Sequence, residues 1–149
     1  LTDGNEGGQV QGTHEFAYLL VPWAGALPRT RLCRLGQQLA AAPRCVQIEH
    51  RDLLAAPSAT LPSSQSFLQM DPGRAVVTAI HAEKGSAGFI VRMFNPNDET
   101  VVETLRCAQP IRMAERIDLE GNRLEVLTLS ADGIRASLAA RQIVSLRLR

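Results

Sequence analysis

From residue 66 onward the chain is interrupted by turn residues about every ten positions, and no stretch between them is long enough for an ordinary helix. The interruptions are Asp71-Pro72-Gly73, Lys84-Gly85-Ser86, Asn95-Pro96, Gln109-Pro110, Glu120-Gly121-Asn122 and Ala131-Asp132-Gly133, with Ala139-Ala140 before the last segment. Proline presets φ and gives no N–H to a ladder, glycine supplies positive φ, and Asn and Asp bond their own backbone. The segments left between them are 66–70, 75–82, 88–94, 100–106, 111–119, 123–129, 134–138 and 142–147. Short strands at this spacing predict a mainly β fold, an antiparallel β-sandwich of about eight strands.

Within this series, Phe89, Ile90, Val91, Met93 and Phe94 make an apolar run suited to a strand buried on much of both faces. It stops at Asn95-Pro96-Asn97-Asp98, and the reading is a hairpin in which 100–106 returns antiparallel beside it. The last two strands alternate. Ile134, Ala136 and Leu138, and likewise Val144, Leu146 and Leu148, face a core, while Arg135, Ser137, Ser145 and Arg147 face water.

The N-terminal third reads differently. Residues 1–12 are Gly-rich loop, and 13–21 alternates as a strand with Phe16, Tyr18 and Leu20 on one face. A helix follows over about 28–42: Pro28 suits its first turn, Leu32, Leu35 and Leu39 form an apolar stripe, and Pro43 ends it. Gly36 inside that helix implies close packing. A short strand over 45–49 completes a strand-helix-strand segment. The division is then 1–57 for this segment, 58–65 for an Ala/Pro/Ser-rich linker, and 66–149 for the sandwich.

Sixteen Lys and Arg against fifteen Asp and Glu leave a net charge of +1, so no long-range field draws this chain to nucleic acid or anionic lipid. No run approaches the ~20 apolar residues of a membrane span. Cys33, Cys45 and Cys107 are odd in number and widely spaced, which argues for three buried thiols in a reducing, cytoplasmic setting rather than a disulfide or zinc framework. The start at Leu1 without a Met reads as a cut inside a longer chain.

Chemistry is sparse. His50-Arg51-Asp52 lacks the Asn and the Gly-rich loop of a kinase, and His14 and His81 have no ligand-spaced companion for a metal. The acids Asp71, Asp98, Glu99, Glu115, Asp118 and Glu120 fall in turns or along one strand, where carboxylates face solvent by default. No paired nucleophile and base emerges, so no catalytic residue or metal ligand is assigned. Six aromatic side chains are too few for a sugar-binding platform, and only Trp23, beside Pro22 and Gly25, stands outside the predicted core.

The order of several segments carries a resemblance. Phe89 to Leu105, FIVRMFNPNDETVVETL, is similar to a segment near the C-terminal end of glycoside hydrolase family 38, the α-mannosidases and mannosylglycerate hydrolases. Gly12-Thr13-His14-Glu15-Phe16-Ala17-Tyr18 with Pro22 and Gly25 resembles that family's Gly-x-His-x-Phe-x-Tyr strand, and Ser66-Phe67-Leu68, Asp118-Leu119 and 142–148 follow in the same order. Trp23, His81 and Gln142 stand where the family commonly has His, Lys and Glu.

The resemblance implies a C-terminal structural domain of an α-mannosidase-like retaining hydrolase. Its zinc and nucleophilic Asp belong in that family to an N-terminal α/β domain and a following helical region outside these residues. The resemblance makes this chain the tail of the central β domain (1–57) and the terminal sandwich, expected by itself to be inactive and to hold no cofactor. Its partners would be the missing N-terminal catalytic and central domains, and the parent's substrate a mannoside. The strand over 13–21 belongs in that family to a preceding β domain, which makes it an orphan edge here, able to pair copies into a homo-oligomer. The alternative is an autonomous carbohydrate- or protein-binding module that uses Trp23 with Gln9 and His14.

Overall fold

The computed structural model describes residues 12–41, 43–47, 49 and 62–149. Among these the chain is mainly β: one helix, α1 (Arg29–Ala40), then β1 (Leu68–Asp71), β2 (Val76–Ala82), β3 (Phe89–Phe94), β4 (Val101–Cys107), β5 (Ala114–Ile117), β6 (Arg123–Leu127), β7 (Leu129–Ser130), β8 (Gly133–Leu138) and β9 (Ile143–Leu148). They form two antiparallel sheets. The first has the order β1-β4-β8-β7 and the second β2-β3-β9-β5-β6.

Each strand expected after residue 66 is present within a few residues of its sequence-based bounds, except that 123–129 divides into β6 and β7 at Thr128. The chain changes sheet at that point. Inward residues from both sheets meet in one apolar cluster: Val91, Met93, Val144, Leu146 and Leu148 from the second, and Val101, Leu105, Ile134, Ala136 and Leu138 from the first. Those of β8 and β9 are the residues that the two-residue alternation assigns inward.

Three expectations are corrected. The hairpin over 88–106 does not form, because β3 pairs with β2 and β9 whereas β4 pairs with β1 and β8. Both edges of β3 are occupied by strands distant in sequence, so Asn95-Pro96-Asn97-Asp98 carries the chain from one sheet to the other instead of back alongside itself. The outward positions of β9 are not solvated either: Ser145 is 2% exposed and Arg147 half-buried. The strand lies centrally between β3 and β5, whose long side chains lean over it, as in the 3.1 Å bond from Arg92 Nε to Ser145 Oγ.

The strand-helix-strand segment is the third. Residues 13–24, 43–47 and 49 have no strand pairing, and only α1 is regular, beginning after Pro28 and ending at Ala40. Alternation in 13–21 has no neighbouring strand to exploit among the described residues. Gly36 is not closely packed, since a Cβ there would meet nothing within 4 Å. No residue of α1 is buried, and Leu39 of its apolar stripe is 47% exposed. The proposed linker 58–65 lies partly, and the boundary at 57 wholly, outside the described residues.

What anchors α1 is polar. Thr30 Oγ1 donates to Arg74 O at 2.6 Å, Arg34 Nη2 to Gly73 O at 2.6 Å and to Ala75 O at 3.2 Å, and Gln37 Nε2 to Val77 O at 2.7 Å. The helix thus runs beside β2, an edge strand of the second sheet, and its side chains satisfy carbonyls left open by that edge and by the connection leading into it.

Two buried polar side chains hold the connections between the sheets. The Glu103 carboxylate, 0% exposed, accepts from the N–H groups of Gly73 at 2.9 Å, Arg74 at 2.6 Å and Ala75 at 2.6 Å, the link from β1 to β2. Asn95, also 0% exposed, donates through Nδ2 to Glu99 O at 2.7 Å, Ala139 O at 2.9 Å and Leu138 O at 3.2 Å, and its Oδ1 accepts from Asn97 N at 3.0 Å. A chain leaving a sheet strands backbone polar groups in the interior, and these two residues satisfy them.

Candidate functional site

Trp23 comes from the irregular segment ahead of α1. Gly25, at φ +80, follows it closely and turns the chain toward the helix. With Leu19, Leu20, Val21, Pro22 and Leu32 of α1 it lines an open depression of about 590 Å³. Trp23 is 53% exposed and Leu20 91%. Upstream, Phe16 is 72% and Tyr18 82% exposed, and the His14 ring lies 6.4 Å from that of Phe16. The result is a strip of large apolar side chains on a segment that no described strand covers.

Of the sequence-derived sugar-binding residues, Trp23 lies in this depression, His14 is not among its lining residues, and Gln9 lies outside the described residues. The lining is aliphatic apart from Trp23, and none of its side chains carries a hydroxyl or amide. Such a surface rewards contact with another apolar surface more than with a polyhydroxylated ring.

Among the acids singled out in the sequence, Asp98 and Asp118 are held as anions by neighbours, and Glu99 and Glu115 are ion-paired. Arg141, bonded to Asp98 Oδ1 at 2.6 Å through Nη2, and Arg29, at 2.9 Å from Oδ2, keep the Asp98 carboxyl below its ordinary range. Glu99 pairs with Arg74. Asp118 accepts from Asn122 through side chain and backbone, and from Glu120 N, which lowers its carboxyl and closes the turn between β5 and β6. Glu115, 4% exposed, pairs with Arg147 at 3.2 Å and Arg123 at 3.6 Å.

Glu83, linked to Glu115 through Arg147, was not marked by any motif or spacing. Its carboxylate receives two bonds from Arg149, at 2.8 and 2.6 Å, and one from Ser86, and these hold it down at about 2. Arg147 Nε also lies 2.8 Å from Glu83 Oε1, though without the alignment of a hydrogen bond. The turn after β2 and the end of β9, far apart in sequence, supply the bonds to Glu83, so only the fold assembles them. A carboxylate so strongly stabilised as an anion has no proton to give near neutral pH, which suits it to structure rather than acid catalysis.

No group of three or more His, Cys, Asp or Glu able to hold a metal occurs among the described residues, and His50-Arg51-Asp52 lies outside them. The three thiols are not uniformly buried as expected. Cys45 is exposed, Cys33 is half-buried on α1, and Cys107 is half-buried at the end of β4, where burial pushes its thiol up.

A second cavity lies between the sheets, where β6 and β8 diverge. Arg116 reaches it from β5, a position that nothing in the sequence marked. Strand pairing sets Arg116 opposite Leu146, hence on the inward face of the second sheet. Comparison of the chain with protein families, curated proteins and solved structures finds no match in any of the three.

Proposed function

We propose that this chain is a structural β-sandwich module, the C-terminal region of an α-mannosidase-like glycoside hydrolase whose catalytic groups come from other domains. The observation that carries the reading is the strip Phe16, Tyr18, Leu20 and Trp23, exposed beside a well-packed pair of sheets. An apolar surface of this kind beside a self-sufficient core is suited to docking. The ordered resemblance to family 38 supplies the identity of the partner, and the shared apolar cluster of the two sheets supports the sandwich.

The test is hydrolysis of p-nitrophenyl α-mannoside by the chain alone, together with its zinc content. Neither turnover nor stoichiometric zinc is expected, and either one overturns the reading. The half-exposed Trp23 favours a second reading, a carbohydrate- or protein-binding module. Titration with mannose, mannobiose or mannosylglycerate while following Trp23 fluorescence separates the two: a saturable shift establishes sugar binding, and an unchanged spectrum at millimolar sugar removes it.

A further inference from the structure

At Thr128 the chain leaves β6 in the second sheet and enters β7 in the first. Because β7 is only two residues long, it pairs with β8 through Leu129↔Ile134 and Ser130↔Gly133 alone. Beyond Ile134 the edge of β8 on this side has no described strand beside it. A cavity of about 210 Å³ opens there, with Arg116, Glu125, Leu127, Arg135, Val144 and Leu146 among its lining residues.

Arg116 is what makes this cavity chemically specific. The other half-buried arginines among the described residues are all bonded: Arg29 to Asp98, Arg92 to Ser145, and Arg147 to Glu115 and Gly121 O. The Arg116 side chain makes no hydrogen bond or ion pair, although Glu125 stands opposite it in register, and neither Glu125 nor Arg135 is bonded through its side chain. An arginine half-buried along its stem, facing inward and left without an acceptor in the structure, is a site prepared for an anion.

We propose that this cavity binds a small monocarboxylate bearing a short branched aliphatic chain. The carboxylate accepts from Arg116, assisted by Arg135, and the alkyl group lies against Leu127, Val144 and Leu146. Two arginines against one glutamate leave a single net positive charge, which favours a monoanion over a dianion such as phosphate. The volume is below the ~300 Å³ at which drug-sized pockets begin, which limits the ligand to a few heavy atoms. This inference stands apart from the proposed docking role, since none of its residues belongs to the exposed strip.

The experiment is titration of the full chain with 3-methylbutanoate, followed by amide chemical shifts. Saturable shifts centred on β5, β6 and the latter half of β8 are expected. Arg116→Gln should weaken binding about tenfold or more, the loss of a charge-assisted bond, with an unchanged melting temperature. Glu125→Gln should tighten it severalfold by removing the competing anion. Leu127→Trp, which fills the cavity, should abolish it. Equal affinity for 3-methylbutanol, for inorganic phosphate or for the Arg116→Gln protein overturns the proposal, as does an absence of saturable shifts at millimolar ligand.

Discussion

At the scale of single residues, Glu83, Asp98 and Asp118 are placed to be ionised. Glu83 shows the consequence for pH. In the unfolded chain it titrates near its ordinary 4.5, while in the fold the bonds from Arg149 and Ser86 bring it to about 2. A depressed folded value means that its contribution is complete above the unfolded value and disappears as pH falls through the folded one. Stability should therefore decline between about pH 4.5 and about pH 2 through this group. Urea midpoints measured at about pH 6 and about pH 3 should differ less in Glu83→Gln than in the native chain. An identical acid response in the two proteins contradicts the assignment. Charge composition shows that acids and bases balance, but not which of them meet, because Glu83 and Arg149 join only when the second sheet is assembled.

At the scale of elements, the decisive devices are the connections that carry the chain between sheets. Asn95 bonds to Glu99, Leu138 and Ala139 from a fully buried position, so Asn95→Ala leaves interior carbonyls without donors. A loss of about 3 kcal/mol is expected from equilibrium urea unfolding, the cost of more than one buried unsatisfied group. Exposed Asn122→Ala, in the β5 to β6 turn, should cost about 1 kcal/mol or less and serves as the control. Equal losses in the two variants remove the special role of Asn95. The turn residues themselves are legible in the sequence, since Asn-Pro-Asn-Asp stops any strand. Whether such a stop makes a hairpin or passes the chain to the opposite sheet is not legible, because both use the same local chemistry.

At the scale of the whole molecule, two sheets share a core whose buried residues, among those described, begin at Ala75, with Leu68 and Met70 packed against it, and α1 is attached to β2 and the connection before it through side-chain bonds to carbonyls. The apolar strip before α1 contributes little to that core. Phe16→Ser together with Leu20→Ser should accordingly change unfolding free energy by no more than about 0.5 kcal/mol, while reducing binding of an apolar dye. A large loss of stability shows instead that the strip is packed in solution.

The sequence by itself determined the strands after residue 66, their bounds to within a few residues, and the inward sets of β8 and β9, because two-residue alternation and turn chemistry are local properties. Tertiary structure alone decided which strands are neighbours, why 13–21 fails to become a strand, and why Arg116 faces inward without a partner. Each of these depends on backbone groups and side chains supplied from distant positions, and a strand's own residues carry no record of what will lie beside them.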